Sequence, residues 1–159
     1  MEKSRIIRHK KASKFLKEET RKVLYKRITS GISVRRGVRS FGSKVYAHDP
    51  GDFGRGVYYD TNYYRAKSYG YVIKSIISLS NPIILSSSEA YDLADKFQTV
   101  RLSDEWYANN IGKNVDEARL INAQKMTEYI LSLGYDGLAA VNVRFGGIEI
   151  VDYRPYKQG

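Results

Sequence analysis

Residues 54–69 read GRGVYYDTNYYRAKSY, and this stretch places five tyrosines and two glycines within sixteen positions. The β-branched and aromatic residues 57–59 predict a short strand. A helix is predicted over residues 63–69, directly after that strand. The sequence therefore predicts a strand followed directly by a helix that carries tyrosines, and the other predicted elements lie before and after this segment.

The glycines and tyrosines of this stretch indicate a binding site as well as a turn. Gly54 and Gly56 permit a tight bend and a close approach to the backbone, although no P-loop lysine or complete GxGxxG pattern accompanies them. Tyr58 and Tyr69 could hold a flat heteroaromatic ring between their faces. Ordinary core packing of the two rings is the alternative interpretation.

Composition restricts the classes of protein that fit. The chain has 159 residues, enough for one hydrophobic core, and it has no cysteine, which excludes disulfides, thiolate metal sites and cysteine nucleophiles. Only His9 and His48 are available as imidazole ligands, so no metal is expected. No apolar run is long enough to cross a bilayer, and no secretory h-region follows the basic N-terminus. We therefore expect a cytoplasmic protein without membrane association.

The net charge of +10 is concentrated at the N-terminus. Residues 1–27 hold eleven Lys/Arg and three Glu, a net charge of +8, whereas residues 28–159 carry only +2. Residues 3–27 are therefore a candidate surface for nucleic acid or an acidic protein, with affinity that falls as salt rises. A solvated lysine-rich helix is the alternative.

Hydrophobic periodicity and turn residues predict an α+β fold in two parts, a basic arm with an amphipathic helix (1–30) and a main domain (31–159). The predicted elements are a helix over 13–30, strands over 32–38 and 57–59, a helix over 63–69, strands over 72–79 and 83–85, helices over 86–97, around Trp106 and over 114–133, and strands over 138–143 and 148–153. The buried stripe of the first helix is predicted as Phe15, Leu16, Val23, Leu24 and Ile28, and that of the helix over 114–133 as Val115, Ala118, Ile121, Tyr129, Ile130 and Leu133. A turn-rich loop is predicted over 39–53, and a hairpin joins the last two strands.

Two further positions have side chains that could act in binding or catalysis. Glu149 lies in a strand, and alternation places it on the face opposite Ile148 and Ile150, toward a cleft or solvent. Arg36 ends a strand, where its guanidinium could bind two phosphate oxygens, and Gly37 would let the ligand approach the backbone. A solvated glutamate and a surface arginine in a turn are the alternatives.

In this order the segments resemble the ADP-ribosyltransferase fold, the family of poly(ADP-ribose) polymerases and of bacterial and phage mono-ADP-ribosyltransferases. The resemblance covers most of residues 31–155 and implies a split β-sheet core with inserted helices. Its strongest part is the glycine–basic–glycine–aliphatic–tyrosine strand at 54–58, followed by a helix that carries Ala66 and Tyr69. The basic–glycine pair Arg36-Gly37 and the strand glutamate Glu149 match the family's other two motifs.

The chain also departs from the family patterns. The polymerase-like branch has histidine at the position of Arg36, and the branch that has arginine there carries Ser-Thr-Ser in place of Tyr58. Ala66 stands where a serine contacts the nicotinamide carboxamide. Gly147 stands where arginine-modifying members carry a second acidic or glutamine residue, which leaves the acceptor open.

The resemblance implies that the chain transfers ADP-ribose from NAD, its co-substrate, to a macromolecular acceptor and releases nicotinamide. By analogy Tyr58 and Tyr69 would hold the nicotinamide, and the Gly37 backbone its carboxamide. The family's pattern also implies that Gly56 and Ala66 lie against the donor, that Arg36 binds its ribose or pyrophosphate, and that Glu149 stabilises the oxocarbenium-like ribose. The alternatives are a catalytically inactive protein of the same fold that binds nucleic acid or serves in a phage virion, and an NAD glycohydrolase toxin. A phage-encoded member would act in the host cytoplasm or in the virion.

Overall fold

The computed structural model describes residues 16–38, 52–68, 70–97, 115–144 and 146–157, with the side chains of residues 38, 115–119 and 157 left out. Several sequence predictions lie outside these residues: Tyr69, the helix around Trp106, most of the loop over 39–53 and the first fifteen residues of the basic arm.

The described chain is a mixed α+β fold, as the sequence predicts. Its elements are α1 (Glu18–Ser30), β1 (Ile32–Val38), β2 (Val57–Asp60), α2 (Tyr63–Lys67), β3 (Tyr71–Ile77), β4 (Pro82–Ser86), α3 (Ser87–Asp95), α4 (Val115–Ser132), β5 (Gly137–Val141), β6 (Ile148–Asp152) and α5 (Arg154–Lys157). The six strands form one sheet in the order β3-β1-β2-β6-β5-β4. β4 and β5 pair in parallel, and the other neighbours are antiparallel.

Each face of the sheet is covered by its own hydrophobic cluster. On the α1 face, Leu24 and Ile28 of α1 pack with Val34, Ile148 and Ile150 of the strands. The other face, called here the α4 face, is covered by α3 and α4. Its cluster consists of Phe53, Ala90, Met126, Ile130, Leu138, Ala140, Val151 and Tyr153, with Tyr58 among the partly buried members. Because side chains alternate along a strand, neighbouring residues contribute to opposite clusters.

The position of α1 differs in detail from the prediction. The helix begins at Glu18, and Leu16, Leu24 and Ile28 are buried as expected, whereas Val23 is 60% exposed. Phe15 lies outside the described residues. Arg21 fixes the helix to the far edge of the sheet, since its Nη2 donates to Glu89 Oε1 at 2.9 Å and its Nη1 donates to the Ile84 carbonyl.

The predicted buried stripe of α4 is wrong at three positions. Ile121, Tyr129 and Leu133 are 41%, 43% and 53% exposed. The buried positions are Ala123, Met126, Thr127 and Ile130, whose spacing of three and four residues defines one helical face. This face includes the small Ala123 and the polar Thr127, so the pattern of hydrophobic residues did not identify it. Thr127 can be buried because its hydroxyl donates to Ala123 O and Arg55 O.

A buried carboxylate joins the end of β3 to the start of β5. Asp136 is 7% exposed, and its two oxygens accept hydrogen bonds from Ser80 N at 2.6 Å and from Asn81 N at 2.9 Å. Its own backbone N–H donates to Asn81 O, and its carbonyl accepts from Tyr153 N. Asp136 therefore sets where β4 and β6 lie relative to β5.

We expect Asp136→Asn to lower the free energy of unfolding by about 1–3 kcal/mol, because the amide NH₂ would face a backbone N–H and leave it without an acceptor in a buried place. Denaturant unfolding measures the change. Asp95→Asn, at an exposed position at the end of α3, is the matched control and should change stability by less than about 0.5 kcal/mol. Equal effects of the two substitutions would contradict the role given to Asp136.

Candidate functional site

Two neighbouring strands bring Tyr58 and Glu149 to the same face of the sheet. β2 pairs with β6 with Tyr58 opposite Val151 and Asp60 opposite Glu149. Side chains two residues apart share a face, so Tyr58, Asp60 and Glu149 all point to the α4 face. Burial is the main cause that raises the pKa of the Tyr58 hydroxyl, and the charge of Glu149 acts in the same direction.

The ladder between β1 and β2 is broken beside this pair. β1 pairs with β3 over seven residues, from Ile32 to Val38, but with β2 only at Arg35–Asp60. An antiparallel ladder that continued would bring Arg36 opposite Tyr59 and then Gly37 opposite Tyr58, and neither pair is formed. The ladder between β1 and β2 is therefore a single residue pair, and Gly37 has no ladder partner in β2.

The carboxyl of Glu149 sits in a site that disfavours its ionised form. Burial raises its pKa from 4.5 to about 7, and the neighbouring charges of Asp52 and Asp60 act in the same direction. The guanidinium of Arg65 opposes them. Near neutral pH this carboxyl is thus divided between its acid and its ionised form, the range in which a side chain can act in general acid–base or electrostatic catalysis.

Tyr58 is held by the turn that precedes its strand. Its hydroxyl accepts from Phe53 N at 2.8 Å and donates to the Gly54 carbonyl. Burial raises the pKa of this hydroxyl well above 10.0, so the phenol is neutral at any physiological pH. With the hydroxyl fixed at one end, the ring of Tyr58 has a defined orientation beside Glu149.

The arginine that shares this face is Arg35 and not the predicted Arg36. Arg35 lies opposite Asp60, and its Nη1 donates to Thr61 O at 3.1 Å. Arg36 lies one residue further along β1 and therefore on the α1 face, as does Val34. There its charge lowers the pKa of the Tyr59 hydroxyl, against the larger effect of burial, which raises it. The structure does not bring Arg36 to Tyr58 and Glu149.

Four residues of this site were missed by the sequence analysis: Arg35, Asp52, Asp60 and Arg65. Asp60 could have been found, because it follows Tyr58 by two residues on a strand. Its carboxylate accepts from Arg65 Nη2 at 3.1 Å, and Arg65 Nε lies 3.0 Å from its second oxygen. A Cβ added at Gly147 would lie 1.8 Å from Arg65 Nη2, so the glycine makes room for this guanidinium.

The remaining predicted donor-site residues are placed as follows. Gly56 faces protein, since an added Cβ would lie 2.7 Å from both Asp152 O and Val151 Cγ1. Its small size thus serves strand packing. Ala66 is 3% exposed, and the helix α2 that carries it contacts β1, β2 and β3. Tyr69 lies outside the described residues, so the second ring of the predicted pair stays a prediction.

Within residues 16–38, 52–68, 70–97, 115–144 and 146–157, no group of three or more His, Asp or Glu is arranged to hold a metal ion. None of the helices there combines the length and the apolar character needed to traverse a bilayer.

Comparison with known proteins gives little similarity. No protein-family model and no curated protein matches the chain. A solved structure, the crystal structure of an anti-CRISPR protein, superposes with a TM-score of 0.37 and 16% sequence identity, over 77% of this chain and 89% of that chain. A similarity of this extent establishes neither a shared fold nor a shared activity.

The raised pKa of Glu149 predicts a pH-dependent effect of Glu149→Gln on stability. A carboxyl with a pKa of about 7 in the folded state and 4.5 in the unfolded state stabilises the fold fully below pH 4.5 and loses that contribution as pH rises to 7. The shift corresponds to about 3 kcal/mol. The free energy of unfolding of Glu149→Gln relative to the parent should therefore increase by about this amount between pH 4.5 and pH 8.

The exposed Glu128 provides the control for this experiment. Its carboxylate accepts from Gln124 Nε2 at 3.0 Å on the surface of α4, and Glu128→Gln should leave the pH dependence of the parent unchanged. If the Glu149→Gln difference is the same at pH 4.5 and pH 8, the carboxyl of Glu149 is not in the environment described above.

Proposed function

We propose that the chain is a mono-ADP-ribosyltransferase that breaks the bond between nicotinamide and ribose in NAD and transfers ADP-ribose to a macromolecular acceptor. The observation that carries the proposal is the position of Glu149: a partly buried carboxyl, on the same face as Tyr58, beside the break in the β1–β2 ladder. The ADP-ribosyltransferase fold is part of this proposal, although the described strands form one six-stranded sheet in which the β1–β2 ladder is reduced to a single pair.

The residues around the break suit the donor. The positively charged nicotinamide ring would lie against the face of Tyr58, since cations are attracted to aromatic faces. Its carboxamide would pair with the backbone of Gly37, whose β2-facing side is not used by the ladder. Arg35 would bind the ribose or pyrophosphate oxygens, because its Nε is buried without a hydrogen-bond partner among the described residues.

Glu149 would act on the sugar. As the C1′–N bond breaks, its electron pair goes to the nicotinamide nitrogen, and positive charge develops on the ribose. An ionised carboxylate beside that charge in a water-poor site stabilises the transition state more than the ground state. The acceptor then forms its bond to C1′ and loses a proton, which leaves neutral nicotinamide and the modified acceptor.

The test measures nicotinamide released from NAD by the purified chain in the presence of a cell lysate. Glu149→Gln should reduce the rate about 10²–10³-fold, the loss expected when one stabilising group is removed from a developing charge, while NAD binding is retained. Glu128→Gln is the matched control and should behave as the parent. A Glu149→Gln protein that turns over NAD at the parent's rate would overturn the proposal, and free ADP-ribose without modified macromolecules would identify an NAD glycohydrolase.

The same assay separates the two candidate arginines. Arg35→Ala should raise the KM for NAD, whereas Arg36→Ala should leave it within about threefold, because Arg36 lies on the other face of the sheet. Thermal unfolding of both variants shows whether any loss comes from the fold. The opposite ranking would return the donor-binding role to Arg36.

The pH dependence of kcat/KM provides a separate check. Glu149 has to be ionised to stabilise the ribose, and its pKa in the free protein is about 7. We therefore expect kcat/KM for NAD to rise about tenfold per pH unit below 7 and to level off above it. A profile that is flat from pH 5 to pH 8 would show that another group supplies the negative charge.

A further inference from the structure

Asp60 and Glu149 place two carboxyls side by side on adjacent strands. The two residues are direct partners in the β2–β6 ladder, and the Cβ atoms of such partners lie about 4.5–5.5 Å apart. Like charges in this position repel each other, and a nearby cation offsets the repulsion. Arg65 of α2 supplies that cation, since its Nη2 lies 3.1 Å from Asp60 Oδ1 and its Nε lies 3.0 Å from Oδ2.

Gly147 leaves the space in which this guanidinium lies. A Cβ added at Gly147 would lie 1.8 Å from Arg65 Nη2 and 3.0 Å from Arg65 Cζ. Gly147 precedes Glu149 by two residues, and its carbonyl accepts from Asn142 N at 2.8 Å, which extends the pairing at the start of β6. The guanidinium therefore lies between Asp60 and the segment that leads into Glu149.

Arg65 is fixed at its backbone and at its guanidinium. Its N–H donates to Asn62 Oδ1 at 3.2 Å, and Asn62 N in turn donates to Asp60 Oδ1 at 2.6 Å. Burial raises the pKa of Glu149, and the charge of Arg65 opposes this effect. Among the described residues, however, the ion pair of Arg65 is with Asp60 and not with Glu149.

The charged and titratable groups of this face come from several parts of the chain. Burial raises the pKa of both tyrosine hydroxyls, so neither carries a charge at neutral pH. The acids act on Glu149 in the same direction as its burial, and Arg65 acts in the opposite direction. β5 contributes an uncharged side chain opposite Glu149. The groups are Asp52 before β2, Tyr58 and Asp60 of β2, Arg35 of β1, Arg65 of α2 and Tyr153 after β6.

We propose that Asp60 and Arg65 are positioning residues, whose ion pair holds a positive charge beside Glu149 without neutralising it. The arrangement of charges stands on the ion pair and the strand register, and its part in the reaction rests on the proposed function. Arg65 favours the ionised carboxylate, whereas Asp60 keeps the guanidinium from pairing with it. The charge of Glu149 thus stays available for the positive charge that develops at C1′ as nicotinamide leaves with the electron pair.

The ionisation of Glu149 is measured first and without NAD, by ¹³C NMR of its side-chain carboxyl in the full chain from pH 4 to pH 9. Glu149→Gln identifies the resonance. The midpoint should rise in Arg65→Gln, because a neighbouring positive charge is lost. It should fall in Asp60→Asn, because a negative charge is lost and the guanidinium is released. Gly147→Ala should raise it as Arg65→Gln does, since the methyl group displaces the guanidinium.

Arg154→Gln is the matched control for these variants. Arg154 Nη2 lies 2.8 Å from Asp152 Oδ2 in an ion pair of the same kind, and Asp152 is three residues from Glu149 along the chain, on the other face of the sheet. This substitution should leave the midpoint of Glu149 where it is in the parent. Thermal unfolding of each variant verifies that the fold is retained.

The pH profile of kcat/KM for NAD then tests the part in the reaction. Each pH unit by which the midpoint rises should lower kcat/KM about tenfold at a pH below the midpoint. Asp60→Asn should move the acid limb to lower pH and also lower the plateau above it, because Arg65 would then pair with Glu149. A purely structural effect would lower the whole profile without moving its midpoint.

Three results would overturn the proposal. In the first, neither Arg65→Gln nor Gly147→Ala moves the midpoint more than Arg154→Gln does. In the second, Asp60→Asn raises the midpoint, and in the third it leaves the plateau of kcat/KM unchanged. If the midpoints move as expected while the parent releases no nicotinamide, the arrangement of charges is supported and the proposed function is the part that fails.

Discussion

Strand β6 is covered on both faces and paired on both edges, so each of its side chains has to enter a core. Ile148 and Ile150 enter the cluster on the α1 face, and Val151 enters the cluster on the α4 face. Glu149 takes a position on the α4 face between Ala140 of β5 and Asp60 of β2. A carboxyl in such a position is partly separated from water, which is the main cause of its raised pKa.

Asp152 and Asp60 each form an ion pair with an arginine, whereas Glu149 forms none with the residues that the structure describes. Asp152 accepts from Arg154 Nε and Nη2 at 2.9 and 2.8 Å, and Asp60 is bound by Arg65. The cation that lowers the pKa of Glu149 is this same Arg65, already engaged with Asp60. A negative charge that is only partly compensated destabilises the fold, and a positively charged ligand beside it would remove part of that cost. This is the physical reason to connect Glu149 with a cationic substrate.

Local patterns were sufficient to predict most elements. The alternation of β-branched residues predicted β1 and β6, and Ser86-x-x-Glu89 predicted the capping box that opens α3, which is confirmed by its two reciprocal hydrogen bonds of 3.1 Å. The long-range use of Glu89 as the partner of Arg21 could not be predicted, because it depends on where α1 packs. For the same reason the buried face of α4 was predicted only in part.

The site was harder to predict than the elements because it depends on register. Tyr58 and Glu149 were chosen as candidates from the sequence, but only the pairing of β2 with β6 shows that they share a face. Choosing between Arg35 and Arg36 requires the pairing of β1 with β2, since a slip of one residue moves every side chain of a strand to the other face. That pairing is limited to Arg35–Asp60. The one residue pair that closes the sheet at this point therefore also decides which arginine faces Glu149.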